Sequence, residues 1–247
     1  MSSLQDKIVI ITGGTRGIGF GAAKLFVAEG AKVILAYSKD TQAAEEAVEA
    51  LGSDRAEAYK ADISDLKQIK QLVEHVASKY GRIDVLVNNA GILWPNSVTT
   101  APEEEFDKFI NVNLKSPFFF IQYAVPHMPA GGRIILVSTS LTSASAVRPD
   151  YSLYLASKGG IEQLVRTSAK ELGARGININ VVCPGPTETD MLLSNNAPEA
   201  LQMMRNLTPS KKLGQPEHIA NVFLMLAGPA GDWINGERIR VNGGLFV

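Results

Sequence analysis

The stretch "IVIITGGTRGIGFGAAKLF", residues 8 to 26, decides the fold. A run of β-branched apolar residues leads into Gly13, Gly17 and Gly19, and a helical pattern follows at once. Glycines here permit a tight turn, let backbone N–H groups approach a pyrophosphate, and aim the helix N-terminus at that anion. A glycine-rich turn alone is a weak signal. Placed between a strand and a helix, this one points to a dinucleotide site.

Working outward, short apolar runs alternate with longer stretches of helical period, the pattern of βαβ units and a parallel sheet. Strands are expected over Lys7–Thr12, Lys32–Tyr37, Glu57–Lys60, Val85–Asn88, Arg133–Val137, Asn178–Val182 and Arg238–Val241. Helices are expected over Ile18–Glu29 and Leu66–Tyr80, and after Pro216, which suits a first helical position. Runs such as "KIVIIT" and "RIILV" suit strands buried on both faces, so helices should cover both sides of a seven-stranded sheet. Leu93–Pro102 and Thr187–Lys212 read as irregular. The expected architecture is a doubly wound, Rossmann-like α/β fold, and residues 1–247 read as one domain.

Composition bounds the function. The chain has 247 residues, 45% apolar and 20% charged, with a net charge of −1. The isoelectric point near 6.3 and mean hydropathy of +0.05 fit a soluble globular protein. Lys211-Lys212 is too short a basic run for a nucleic-acid or anionic-membrane surface. The N-terminus lacks a signal-peptide apolar core, and no run of about 18 apolar residues occurs. The only cysteine, Cys183, has no partner for an internal disulfide, which fits a reducing, cytoplasmic setting. His75, His127 and His218 are scattered, so a metal site has no support.

Five further motifs stand in order along the chain. They are "TGGTRGIG" (12–19), "NNAG" (88–91), "NVN" (111–113), "YLASK" (154–158) and "PGPTETDM" (184–191). In kind, order and separation they resemble the classical short-chain dehydrogenases/reductases, and together they cover nearly the whole chain. The resemblance implies a nicotinamide-dependent oxidoreductase interconverting a ketone or aldehyde and an alcohol. A non-catalytic dinucleotide-sensing protein on the same fold is the alternative. Gly13, Thr15, Arg16, Gly17, Ile18 and Gly19 would then meet the dinucleotide.

The second strand ends "VILAYSKD", with Ala36, Tyr37, Ser38 and Lys39 where an acid would accept the ribose 2′-OH. Ser38, Lys39 and Arg16 instead suit a 2′-phosphate, so NADP(H) is the expected cofactor. Asp40 reads as a helix cap. By position in similar proteins, Asp62 and Ile63 would meet adenine, and Asn88, Asn89, Ala90 and Gly91 would floor the adenine ribose. Pro184, Gly185, Thr187 and Thr189 would meet the nicotinamide carboxamide and phosphates.

Ketone reduction needs a proton donor and a polar group fixing the carbonyl. Lys158 lies one helical turn after Tyr154, so the two project from one face, and a nearby ammonium lowers a phenol's pKa. In similar enzymes this lysine also holds the nicotinamide ribose. Tyr151 is two turns from Lys158, roughly 10 Å along the axis, and reads as a helix start or pocket residue. The carbonyl-fixing hydroxyl is Ser140, or next Thr139, because the interval to Tyr154 is a residue or two longer than usual. Ser138 should point elsewhere. Asn113 matches an asparagine that holds a relay water. Leu93, Trp94, Pro95, Leu141, Val147 and Tyr151 on one side, and Pro186, Met191, Leu192, Leu193, Met203 and Met204 on the other, are pocket candidates. Their apolar character suggests a hydrophobic carbonyl substrate and a lid between Met191 and Met204. Asn235 departs from the family, where Thr-Gly is commoner. Similar proteins form homodimers or homotetramers.

Overall fold

The computed structural model describes residues 4–145 and 147–247. Seven strands form one parallel sheet in the order β3-β2-β1-β4-β5-β6-β7. They are β1 Ile8–Thr12, β2 Lys32–Tyr37, β3 Ala56–Lys60, β4 Val85–Asn88, β5 Arg133–Val137, β6 Asn178–Pro184 and β7 Arg238–Val241. The strand order reverses between β1 and β4, and a crevice opens beyond the carboxyl ends of the strands at such a point. Ile10 pairs with Ile34 on one side and Leu86 on the other, which fixes the register at the centre.

The helices are α1 Gly17–Ala28, α2 Thr41–Leu51, α3 Leu66–Tyr80, α4 Glu103–Ile110, α5 Ser116–Ala124, α6 Ser152–Gly173, α7 Asp190–Ser194, α8 Pro198–Leu207 and α9 Pro216–Ala227. They bury two apolar layers, one on each face of the sheet. One layer holds Ile69, Phe120 and Ile161 from α3, α5 and α6; the other holds Phe26 and Phe223 from α1 and α9. α2 and α3 start on Asp40 and Asp65, whose carboxylates accept backbone N–H bonds from Ala43 and Lys67.

The expected strands all form, with β1 starting one residue later, β3 one residue earlier and β6 running on to Pro184. Thr187–Lys212, expected to be irregular, is different: it carries α7 and α8. Thr189 caps α7 by accepting from Leu192 N, and Pro198 occupies the first position of α8. Leu93–Pro102 stays irregular, but Asn96 pairs as a parallel bridge with Tyr151 and ties this loop to the start of α6. Asn111–Lys115 forms a π-helical turn between α4 and α5. Such turns recur at functional sites, and this one carries Asn113. Among the described residues no helix is long and apolar enough to cross a membrane.

Phe223 is fully buried between α9 and the sheet. Phe223→Ala should destabilise the protein by about 3–5 kcal/mol, seen as a lower urea midpoint with an unchanged slope.

Candidate active site

The glycine turn leaves β1 with Gly13 at φ +61° and Gly17 at φ +51°, a left-handed region that glycine alone enters freely. A Cβ at Gly19 would lie 2.1 Å from the Gly13 carbonyl oxygen, so no side chain fits there. The Thr12 hydroxyl accepts from Asn89 N and Ala90 N at 3.0 Å each, and Asn89 Nδ2 donates to the Thr12 carbonyl at 3.0 Å. The turns after β1 and β4 are thereby joined. Thr189 reaches over from the far side: its Cγ2 would stand 3.2 Å from a Cβ at Gly17. The result is a bare backbone cradle at a helix N-terminus, which fits a pyrophosphate.

Tyr37, Ser38 and Lys39 follow at the carboxyl end of β2, with Ser38 and Lys39 exposed. Arg16 forms an ion pair with Asp40, whose other oxygen caps α2 through Ala43 N at 2.9 Å. The cap is therefore also the guanidinium's partner. Asp62 lies beyond β3 and binds its own turn through Ser64, while Ile63 packs half-buried on the core.

At the other end of the crevice, α6 carries Tyr154 and Lys158, and β5 delivers Thr139 and Ser140. Burial pushes the Tyr154 phenol up to about 12, and the Thr139 hydroxyl draws it partly back. Burial also pulls the Lys158 ammonium down to about 8. Lys158 Nζ donates to the Val137 carbonyl at 2.7 Å and stands 6.0 Å from the centre of the Tyr154 ring. The expected lowering of the phenol by this ammonium does not dominate here; desolvation of both groups does. A phenol that keeps its proton at neutral pH is a proton donor.

Of the two candidate hydroxyls, that of Thr139 is the one that draws the Tyr154 phenol's pKa down. Ser140 is buried on the same cavity wall and opens a 3-10 turn through Ser143. Both hydroxyls expected from the sequence therefore reach the cavity, Thr139 just before the turn and Ser140 at its first position. Ser138 does point elsewhere, donating to Glu162 Oε1 at 2.6 Å. Asn113, 1% exposed, accepts from Ile92 N at 2.9 Å and donates to the Ile92 carbonyl at 3.0 Å and Ser157 Oγ at 3.1 Å. It braces the β4 loop against α6. A Cβ at Gly91 would lie 3.1 Å from both Asn113 Oδ1 and Lys158 Nζ, so this glycine leaves the floor of the site open.

A cavity of about 660 Å³ joins these groups. Its cofactor-side wall includes Ile18, Asn89, Pro184, Gly185, Thr187 and Thr189, and its reacting end includes Thr139, Tyr154 and Lys158. Thr187, 5% exposed, is held by a bridge to Gly214. Tyr151 takes both expected roles: it precedes α6 as N-cap and lines the cavity, its ring 6.1 Å from that of Tyr154. Leu93, Leu141, Met191, Met203 and Met204 line the outer part. Trp94 does not; its ring packs tilted against that of Phe109, their centres 4.5 Å apart. Leu207 at the end of α8 also lines the cavity, as do Leu245 and Phe246, whose one signal in the sequence is the apolar stretch after "NGG". Cys183 is fully buried, and its thiol is pushed up to about 12, as befits a packed residue rather than a nucleophile.

A parallel α/β sheet with an anion cradle at its switch point and a phenol–ammonium–hydroxyl group beside it defines a dinucleotide-dependent oxidoreductase. Residues 13–246 match the family model described as enoyl-(acyl carrier protein) reductase. The chain is 38% identical to a 3-oxoacyl-(acyl-carrier-protein) reductase of Thermotoga maritima, covering 99% of both chains. It is 34% identical to a versicolorin reductase of Emericella nidulans, covering 98% of this chain and 97% of the relative. A short-chain dehydrogenase of Burkholderia cenocepacia, solved in complex with NADP, superposes with a TM-score of 0.93 at 34% identity, over 98% of this chain and 99% of that one. The chain belongs to the short-chain dehydrogenase/reductase family.

Lys158 supplies a pH signature. Its pKa falls from 10.5 in the unfolded chain to about 8, so between those values the unfolded state binds the extra proton. Stability from this group is therefore lowest below pH about 8 and rises toward 10.5. Lysine side-chain NMR of the protein alone should show one resonance titrating near 8 that is missing in Lys158→Met.

Proposed function

We propose that this protein is an NADP(H)-dependent reductase of apolar ketones or aldehydes. The observation that carries the reading is the gathering of Tyr154, Lys158, Thr139 and Ser140 on the wall of one largely apolar cavity that also takes in Ile18 of the glycine turn and Thr187 and Thr189. Bound NADPH supplies the hydride. Tyr154 gives its proton to the carbonyl oxygen as negative charge develops there, and Thr139 donates a hydrogen bond that fixes the same oxygen. Lys158, held on Val137, presents its ammonium beside Gly91 to hold the nicotinamide ribose. Asn113 Oδ1 has one lone pair left after accepting from Ile92 N, enough to hold a relay water next to Lys158.

The 2′-phosphate preference is supported by what surrounds β2. No acid ends the strand, Ser38 and Lys39 are exposed, and Arg16 lies at the turn. Asp40 does not take an acid's place on the ribose, because one oxygen caps α2 and the other holds Arg16. The crystallised relative from Burkholderia cenocepacia binds NADP, which agrees.

The substrate is best read as an uncharged carbonyl compound. Among the described residues, Arg148 is the one charged side chain on the cavity wall besides Lys158, and its guanidinium is bidentate to Asp150 at 2.9 and 2.6 Å. An acyl chain on a carrier protein is the second reading, favoured by the relative that reduces a 3-oxoacyl carrier protein. Against it, Arg148 and Arg205 are already paired, with Asp150 and Glu188, and offer little to an acidic carrier. Phe106 and Phe118, 48% and 47% exposed on α4 and α5, support a dimer or tetramer, which sedimentation velocity would register.

Fluorescence titration should show NADPH binding at least tenfold more tightly than NADH, with the gap narrowed in Arg16→Ala. With NADPH and the apolar ketones α-tetralone and phenanthrenequinone, Tyr154→Phe should lose about 100- to 10,000-fold in kcat while keeping NADPH affinity. Thr139→Ala should cost more than Ser140→Ala. Unchanged turnover in Tyr154→Phe, or tight NADPH binding with no ketone reduced, would sink the reading.

A further inference from the structure

Tyr154, Lys158 and Glu162 recur every fourth residue on one face of α6. The first two face the cavity, and Glu162 is turned into the protein behind it, its side chain 8% exposed. A glutamate is rarely buried without partners, and this one has several. Its Oε1 accepts from Ser138 Oγ and from Thr142 Oγ1, each at 2.6 Å, and its Oε2 accepts from Arg238 Nη1 of β7 at 2.9 Å. Cys183 Sγ of β6 is 3.6 Å away.

The two hydroxyls bracket Thr139. Ser138 precedes it and also reaches the Lys158 carbonyl at 3.3 Å; Thr142 closes the following turn, 2.9 Å from the Thr139 carbonyl. One carboxylate thus grips the chain before and after Thr139 and anchors it to the helix that carries Tyr154. Stability alone does not explain such an arrangement, since a buried ion pair is often no better than apolar packing of the same volume. Placement does, because an error near 1 Å at a reacting group costs on the order of 100-fold.

We infer that Glu162 is a positioning residue for the reduction: with Arg238 holding its second oxygen, it fixes the Ser138–Thr142 turn so that the Thr139 hydroxyl meets the Tyr154 phenol. The inference rests on the proposed role of Thr139. It predicts that Glu162 acts on the reaction only through that hydroxyl.

The test is a double-mutant cycle on kcat for phenanthrenequinone with NADPH, combining Glu162→Ala with Thr139→Ala. Glu162→Ala should lower kcat about 10- to 100-fold, with KM and the NADPH dissociation constant changed less than about threefold. In the Thr139→Ala background the same substitution should have no further effect. Multiplying losses, or full kcat in Glu162→Ala alongside a depressed Thr139→Ala, would overturn the positioning role while leaving the proposed function standing. Full kcat in Thr139→Ala would remove the role of Thr139 and the positioning role with it, while the NADPH-dependent reduction itself would stand. Should Glu162→Ala not fold, Thr142→Val deletes a single bond of the grip, and its smaller loss should likewise vanish when Thr139 is absent.

Discussion

Lys158 donating to the Val137 carbonyl is the contact on which the site is built. It pins an ammonium where burial resists charge, at the carboxyl end of β5 and against the bare backbone of Gly91. Everything nearby is arranged around that cost. Asn113 ties the β4 loop to α6 through Ile92 and Ser157, so the glycine that leaves room for Nζ cannot drift. The π-helical turn at Asn111–Lys115 is what brings the amide to that depth.

The same desolvation acts with opposite chemical results on the two partners. It raises the phenol and lowers the ammonium, so each is held nearer its neutral form. For Tyr154 that means a proton available for donation. For Lys158 it means a charge that a polyhydroxylated or anionic ligand would stabilise, because such a ligand restores the hydrogen bonds that water no longer provides.

Much of this was legible in the sequence. β-branched runs buried on both faces announce parallel strands, and the glycine turn and the Tyr154–Lys158 spacing are local patterns that need no tertiary information. What stayed hidden depends on contacts far apart in the chain. That Thr139 and Ser140 both reach the cavity depends on the 3-10 turn that follows β5. Glu162 reads as an ordinary helical glutamate until Arg238, 76 positions on, comes beside it at the neighbouring strands. Leu245 and Phe246 join the cavity only because β7 returns the tail to it. Thr187–Lys212 reads as irregular because α7 and α8 are short and separated by Asn195, Asn196 and Ala197, too brief for a periodic signal.

The division of labour follows from rigidity. Tyr154, Lys158 and Glu162 sit on a helix of 22 residues packed on the sheet, and Thr139 is fastened to that helix on both sides. Groups that must keep their positions within a fraction of an ångström are thereby placed on elements that cannot move independently. The apolar wall is built differently, from two short helices, a loop and the chain's tail, with methionines that adapt to shape. In the proposed reaction, changing that wall would alter which compound fits without disturbing the proposed proton donor, so the chemistry would rest on the helix and the choice of substrate on the segments that surround it.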